Sequence, residues 1–135
     1  MYTHKVKYYE TDAMRIVHHS NYIRWMEEAK MDFLERTGCG MTRVEAAGIT
    51  SPVVSVECNY KQPATFDDEI AIDVTIEKYT GVKLALSYTM TNTATNVVVA
   101  TGRSCNCYVT ANGTPISLQK YFPDFDARLK EILTS

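Results

Sequence analysis

A chain of 135 residues, 45% hydrophobic and 22% charged, has the size and mixture of one globular domain with its own core. Its 14 Lys+Arg against 16 Asp+Glu give a net charge of −2 with no basic run, which excludes nucleic acid as the main partner. The start, MYTHKVKYYE, lacks an apolar signal core, and no apolar run nears the ~20 residues of a membrane span, so no membrane insertion is expected. Cys39, Cys58, Cys105 and Cys107 form no CxxC pair and read as reduced thiols of a cytoplasmic protein.

Residues 4–10 (HKVKYYE) are rich in Val and Tyr and read as a short strand. Thr11 to His18 is irregular. A helix follows over about 20–37, where Tyr22, Met26, Ala29 and Phe33 form an apolar stripe at steps of four, three and four. Ile23 and Leu34 widen it, Trp25 sits beside it, and Arg24, Glu27, Glu28, Lys30, Asp32 and Glu35 take the polar side. Gly38 is placed to end the helix in the left-handed conformation. A short helical turn over 42–47 closes at Gly48. From Ile49 the period changes to two. Residues 52–61 alternate Val54, Val56, Cys58 and Tyr60 on one face. Residues 69–79 alternate Ile70, Ile72, Val74 and Ile76, and residues 83–92 alternate Leu84, Leu86, Tyr88 and Met90, with a turn at Gly81 between them. A last long strand covers 96–110, Asn112-Gly113 turns the chain, and 123–133 (PDFDARLKEIL) is a C-terminal helix with Pro in its first turn. Alternating strands bury one face only, and one long striped helix can cover that face. The pattern predicts a single α+β domain over residues 1–135, a curved antiparallel sheet wrapped around the 20–37 helix.

Chemistry concentrates in residues 6–29, VKYYETDAMRIVHHSNYIRWMEEA, where Asp12, His18 and His19 fall just before the long helix. A helix start presents unpaired N–H groups and partial positive charge, which polarise a carbonyl and hold an oxyanion. A carboxylate one loop away can act as general base or nucleophile. These are the minimum parts for acyl transfer.

Val6-x-Tyr8, Glu10-Thr11-Asp12, Ile16-Val17, His19, Asn21-Tyr22, Trp25-Met26-Glu27 and Ala29 form one string; Tyr60-Lys61-Gln62-Pro63-Ala64 and Phe66-Asp67-Asp68-Glu69 form a second landmark. Together they resemble the 4-hydroxybenzoyl-CoA thioesterase family, most closely its YbgC-like acyl-CoA thioesterase branch. The likeness covers about residues 4–110 and leaves the C-terminal helix outside. It implies a hotdog fold working as a homodimer or homotetramer with active sites at subunit interfaces. It also implies hydrolysis of acyl-CoA thioesters, with coenzyme A as part of the substrate and no separate cofactor. On that resemblance Asp12 is the catalytic carboxylate, attacking the thioester carbon or activating a water. The helix end near His19 holds the carbonyl oxygen, and the His19 side chain matches a functional histidine.

Two departures bear on the substrate. Arg15 stands where the family usually has Gly, which lets backbone approach the thioester, and His18 stands where it commonly has an aromatic. Arg15 narrows the pocket, pairs with Asp12, or binds an acidic acyl group or a CoA phosphate. Arg15 and His18 thus join the substrate-binding candidates. So do Tyr22 and Met26, core residues of the helix that can also line the acyl pocket, and Lys61 and Lys83, candidates for CoA phosphates. Asp12, His18 and His19 are metal-ligand types, but adjacent histidines point apart, so no metal is expected. Cys105 and Cys107 share a strand face and read as buried small hydrophobes. Asp67-Asp68-Glu69 reads as a solvated strand entry. Two other functions compete. A non-catalytic acyl-CoA-binding module would not need Asp12, and a hotdog dehydratase or hydratase would carry a His-rich motif with Pro and Gly that this chain lacks.

Overall fold

The long helix α1 (Ser20–Arg36) forms where apolar residues recur every three to four positions, and it buries Tyr22, Trp25, Met26, Ala29, Phe33 and Leu34. Gly38 ends it at φ 83°, a conformation that costs glycine little. Lys30 is buried as well, which corrects its assignment to the polar side. Position 30 lies four residues after Met26 and three before Phe33, so its Cβ points inward with theirs.

A computed structural model describes residues 1–134. A five-stranded antiparallel sheet wraps α1. Its strands are β1 (Tyr2–Lys5), β3 (Val53–Tyr60), β4 (Glu69–Tyr79), β5 (Lys83–Asn92) and β6 (Val97–Cys107), in the spatial order β1-β4-β5-β6-β3. A second, two-stranded piece pairs β2 (Ile49–Thr50) with β7 (Val109–Thr110). Three smaller helices complete the domain: α2 (Met41–Ala46), α3 (Leu118–Tyr121) and α4 (Pro123–Thr134). This is the hotdog arrangement that the sequence pattern and the resemblance predicted. The register fixes the two ends of the sheet: Tyr60 pairs with Ala100 and Ala100 with Met90 at one end, Val53 with Asn106 and Asn106 with Leu84 at the other.

The inner face of the sheet meets α1 closely. At Gly102 a Cβ would lie 2.9 Å from the Met26 methyl and 3.0 Å from the Glu57 carbonyl oxygen, so only glycine lets the helix approach here. Ile70, Ile72, Leu84, Leu86 and Met90 fill the rest of that face, and Leu118, Phe125 and Leu129 of the C-terminal helices close one end of the core.

Four expectations are corrected. The first strand is Tyr2–Lys5, not 4–10, because Tyr8–Glu10 coils into a 3-10 turn around the buried Glu10. The strand at 53–60 has the expected alternation, yet Val53, Val54, Val56 and Tyr60 all stay exposed, because β3 is an edge strand that the helix does not cover. The strand over 96–110 breaks at Tyr108 into β6 and β7. Cys105 and Cys107 are only half-buried: Ser104 and Asn106 take the inward positions, so the cysteines face outward.

Candidate active site

The loop before α1 is built from both of its ends. The Val17 amide donates to Ala64 O at 2.8 Å, and the His18 amide donates to Glu10 O at 2.9 Å. The Asn21 side-chain amide also donates to Glu10 O at 2.9 Å. Thr11 and Val17 bridge each other, and Ile16 bridges Thr65. Inside this clamp the Asp12 amide donates to Ile16 O and the Arg15 amide to Asp12 O, each at 2.9 Å. The clamp draws its rigidity from Glu10. Its Oε1 accepts the Lys7 amide at 2.7 Å and His4 Nε2 at 2.8 Å, and its Oε2 accepts Trp25 Nε1 at 2.8 Å. Burial alone would raise the Glu10 pKa, but these donors from Lys7, His4 and Trp25 outweigh it and hold the carboxyl below its ordinary value. Glu10 carried no assigned role in the sequence reading; its place two residues before Asp12 was the available signal.

Asp12 is half-buried. Its Oδ1 accepts the Met14 amide at 2.8 Å, which orients the carboxylate, and Oδ2 has no partner among the described residues. Arg15 sits at φ 64°, the left-handed region. That conformation gives a direct reason for glycine at this position. The Arg15 side chain is exposed and enters no ion pair among the described residues, so it does not partner Asp12.

His19 is the N-cap of α1, and its amide has no acceptor among the described residues. Its carbonyl accepts the Tyr60 hydroxyl at 3.1 Å. Its ring stacks on His18 with centroids 4.2 Å apart and stands edge-on to Tyr60 at 6.3 Å. His18 does a different job: its Nδ1 accepts the Ser20 amide at 3.3 Å and meets Ser20 Oγ at 2.9 Å, holding the first turn.

Asp12, His19, Tyr22 and Lys61 share one cavity of about 350 Å³. Tyr60 and Gln62 also line it, with apolar wall from Met14, Ile16, Val17 and Pro63. Tyr60 and Gln62 were not singled out as site residues, although the Tyr60–Ala64 landmark contained them. Four other candidates fall elsewhere in the protomer. Arg15 and His18 do not line the cavity, Met26 packs under Gly102, and Lys83 pairs with Cys107 at the sheet end opposite Tyr60. Among the described residues no group of three or more His, Cys, Asp or Glu is placed to hold a metal ion. No helix among them is long and apolar enough to cross a membrane.

A carboxylate with a free oxygen, and a helix-start amide with no acceptor, thus wall the same cleft. The family model described as the thioesterase-like superfamily matches residues 6–131. The chain belongs to that superfamily. The match extends past residue 110 through most of α4, so the C-terminal helix is part of the family domain, contrary to the expectation that it lay outside. A Bacillus subtilis (strain 168) protein with the provisional name acyl-CoA thioesterase YneP is 33% identical over 121 residues, covering 90% of this chain and 88% of that one. Long-chain acyl-CoA thioesterase FadM of Escherichia coli (strain K12) is 30% identical over 96 residues, covering 71% and 72%. The solved structure of a DHNA-CoA thioesterase from Staphylococcus aureus superposes with a TM-score of 0.92 at 27% identity, covering 98% of this chain and 89% of that one. At the level of the family the activity of this thioesterase-like protein is thioester hydrolysis, the reaction class that the Asp12 string implied.

Proposed function

We propose that this protein hydrolyses acyl-CoA thioesters to free acid and CoA, with Asp12 as general base or nucleophile and the His19 amide as oxyanion donor. One observation carries the reading: the unpartnered Asp12 Oδ2 and the unpartnered His19 amide open onto a single cavity. A thioester carbonyl laid against the first amides of α1 meets a donor backed by the helix dipole. Asp12, oriented by the Met14 amide, then attacks the carbonyl carbon or takes a proton from a water that does. The thiolate leaves and is protonated by solvent. The His19 ring, held between His18 and Tyr60, orients the substrate at the cavity wall. Lys61 at the wall and Arg15 at the loop tip supply positive charge for CoA phosphates.

The working unit in this reading is a homodimer formed through β3. That strand presents an open backbone edge together with exposed Val53, Val54 and Val56, a surface suited to antiparallel pairing with a second copy. Tyr60 and Lys61 at the end of β3 then bring the cavity next to the partner. The four unpaired cysteines suit a reducing compartment, and we place the protein in the cytoplasm. The test is thiol release from a panel of acyl-CoAs, followed with a thiol reagent. Turnover with at least one acyl group is expected. Binding without release across the panel would contradict the reading and favour a non-catalytic module.

A further inference from the structure

We propose that Lys30 and Asn106 form a polar stop at the far end of the acyl channel, selecting acyl groups that carry a hydroxyl, carbonyl or carboxylate near their distal end. The inference rests on the reading of the Asp12 cavity as the thioester site.

Two smaller cavities continue from that site along the furrow between α1 and β3. Tyr22 and Tyr60, in edge contact at 5.1 Å, mark the way out of the first cavity. The next residue of the helix, Ile23, and Val56 further back along β3 wall a second cavity of about 80 Å³. A third, of about 130 Å³, lies beyond it against Leu34, Leu84 and Tyr108. Glu27, Lys30 and Val53 belong to both, so the two smaller cavities share a wall at Lys30. From His19 to Lys30 the helix advances about 16 Å, which an extended acyl chain of roughly ten to twelve carbons spans.

The far end of this furrow is polar inside an apolar core. Lysines near apolar surface usually run their stems along it and keep the ammonium in water. Lys30 does not: the residue is 4% exposed. Its ammonium meets Glu27 Oε2 at 2.9 Å and Asn106 Oδ1 at 3.4 Å. Asn106 is held in that orientation because its Nδ2 donates to Ser51 O at 2.9 Å. One step toward the thioester site, Ser104 and Tyr88 join hydroxyls at 2.6 Å on the same inner face of the sheet. An ammonium has three donors, and two are used here. The third is available to an acceptor entering the furrow. A methyl terminus in the same place would displace water and leave that donor unmet, which a hydrogen-bonding site penalises.

The experiment compares three CoA thioesters of one length: decanoyl, 10-hydroxydecanoyl and the mono-thioester of decanedioic acid. Wild type is expected to favour the hydroxy and carboxy substrates over decanoyl in kcat/KM by roughly tenfold. Lys30→Met, close in shape but without the ammonium, is expected to reverse that order. An order that favours decanoyl in wild type, or that is the same in both proteins, overturns the polar stop. Should circular dichroism show Lys30→Met unfolded, wild type alone decides: decanedioic acid inhibiting more strongly than decanoic acid supports the stop, and equal or weaker inhibition overturns it. Absence of thiol release from every substrate would count against the thioesterase reading. Calorimetric binding of the same two acids to wild type then tests the stop by itself, with tighter binding of the diacid expected and equal or weaker binding overturning it.

Discussion

Glu10→Gln tests whether the active-site loop is held by one carboxylate. Glu10 accepts three donors, the Lys7 amide, His4 Nε2 and the indole N–H of Trp25, and a carboxylate suits them because it is acceptor-only. Glutamine offers one oxygen and one NH2 group. If the oxygen faces Lys7 and His4, the NH2 abuts the indole N–H of Trp25, which is 0% exposed and has no alternative acceptor. If the amide flips, Lys7 and His4 lose their acceptor instead. A buried donor left unmet costs about 1–3 kcal/mol, and the surviving bonds lose their charge assistance. The sum is about 3 kcal/mol, a fall in Tm on the order of 10 °C for a domain of this size. Urea unfolding followed by Trp25 fluorescence, with calorimetry alongside, reads it. Because Glu10 also anchors His18 and Asn21 through its carbonyl, kcat is expected to fall with the loop. The acid side supplies a sign. The folded-state pKa of Glu10 lies below its ordinary 4.5, so its contribution is present above that pH and disappears as pH falls through the lower folded value. The stability gap between wild type and Glu10→Gln must therefore narrow in acid. A loss under about 0.5 kcal/mol at neutral pH would refute the clamp.

Arg15→Gly removes a left-handed arginine, and a gain of roughly 0.5–1 kcal/mol in urea unfolding is expected, net of the entropy glycine adds to the unfolded chain. Gly102→Ala pushes a methyl to within 3.0 Å of the Glu57 carbonyl and against Met26, and a loss of about 1–3 kcal/mol is expected in the same assay. Val56→Lys places a charge on the exposed β3 edge, and sedimentation is expected to show the dimer weakened by roughly tenfold or more while circular dichroism is retained. Unaltered sedimentation would move the subunit contact away from that edge.

Most of the fold was legible because its two periods do not overlap. The Tyr22-Met26-Ala29-Phe33 stripe and the Ile70–Ile76 and Leu84–Met90 alternations each admit one arrangement, and they formed within a residue or so of the expected bounds. Residues whose environment is set by distant partners were harder to read. Lys30 reads as surface by residue type, yet its helical position and Asn106 on β6 bury it. Glu10 reads as part of a strand until His4, Lys7 and Trp25 converge on it. The alternation of β3 promised a buried face, but burial depends on what lies beside a strand, and beside β3 there is only an edge. In the site, Asp12 and His19 were visible because the chemistry is local to one loop and one helix start. Tyr60 and Gln62 come from a strand end some forty residues on, and only folding brings them there.

The most direct measurement is the steady-state rate of thiol release by Asp12→Asn against wild type, on whichever acyl-CoA wild type turns over fastest. Asparagine keeps an Oδ1 to accept the Met14 amide, so the loop should hold its shape and the melting temperature should stay close to wild type. A fall in kcat of about 10²–10⁴ with little change in KM is the predicted result. A folded Asp12→Asn protein releasing thiol at near the wild-type rate would contradict the account.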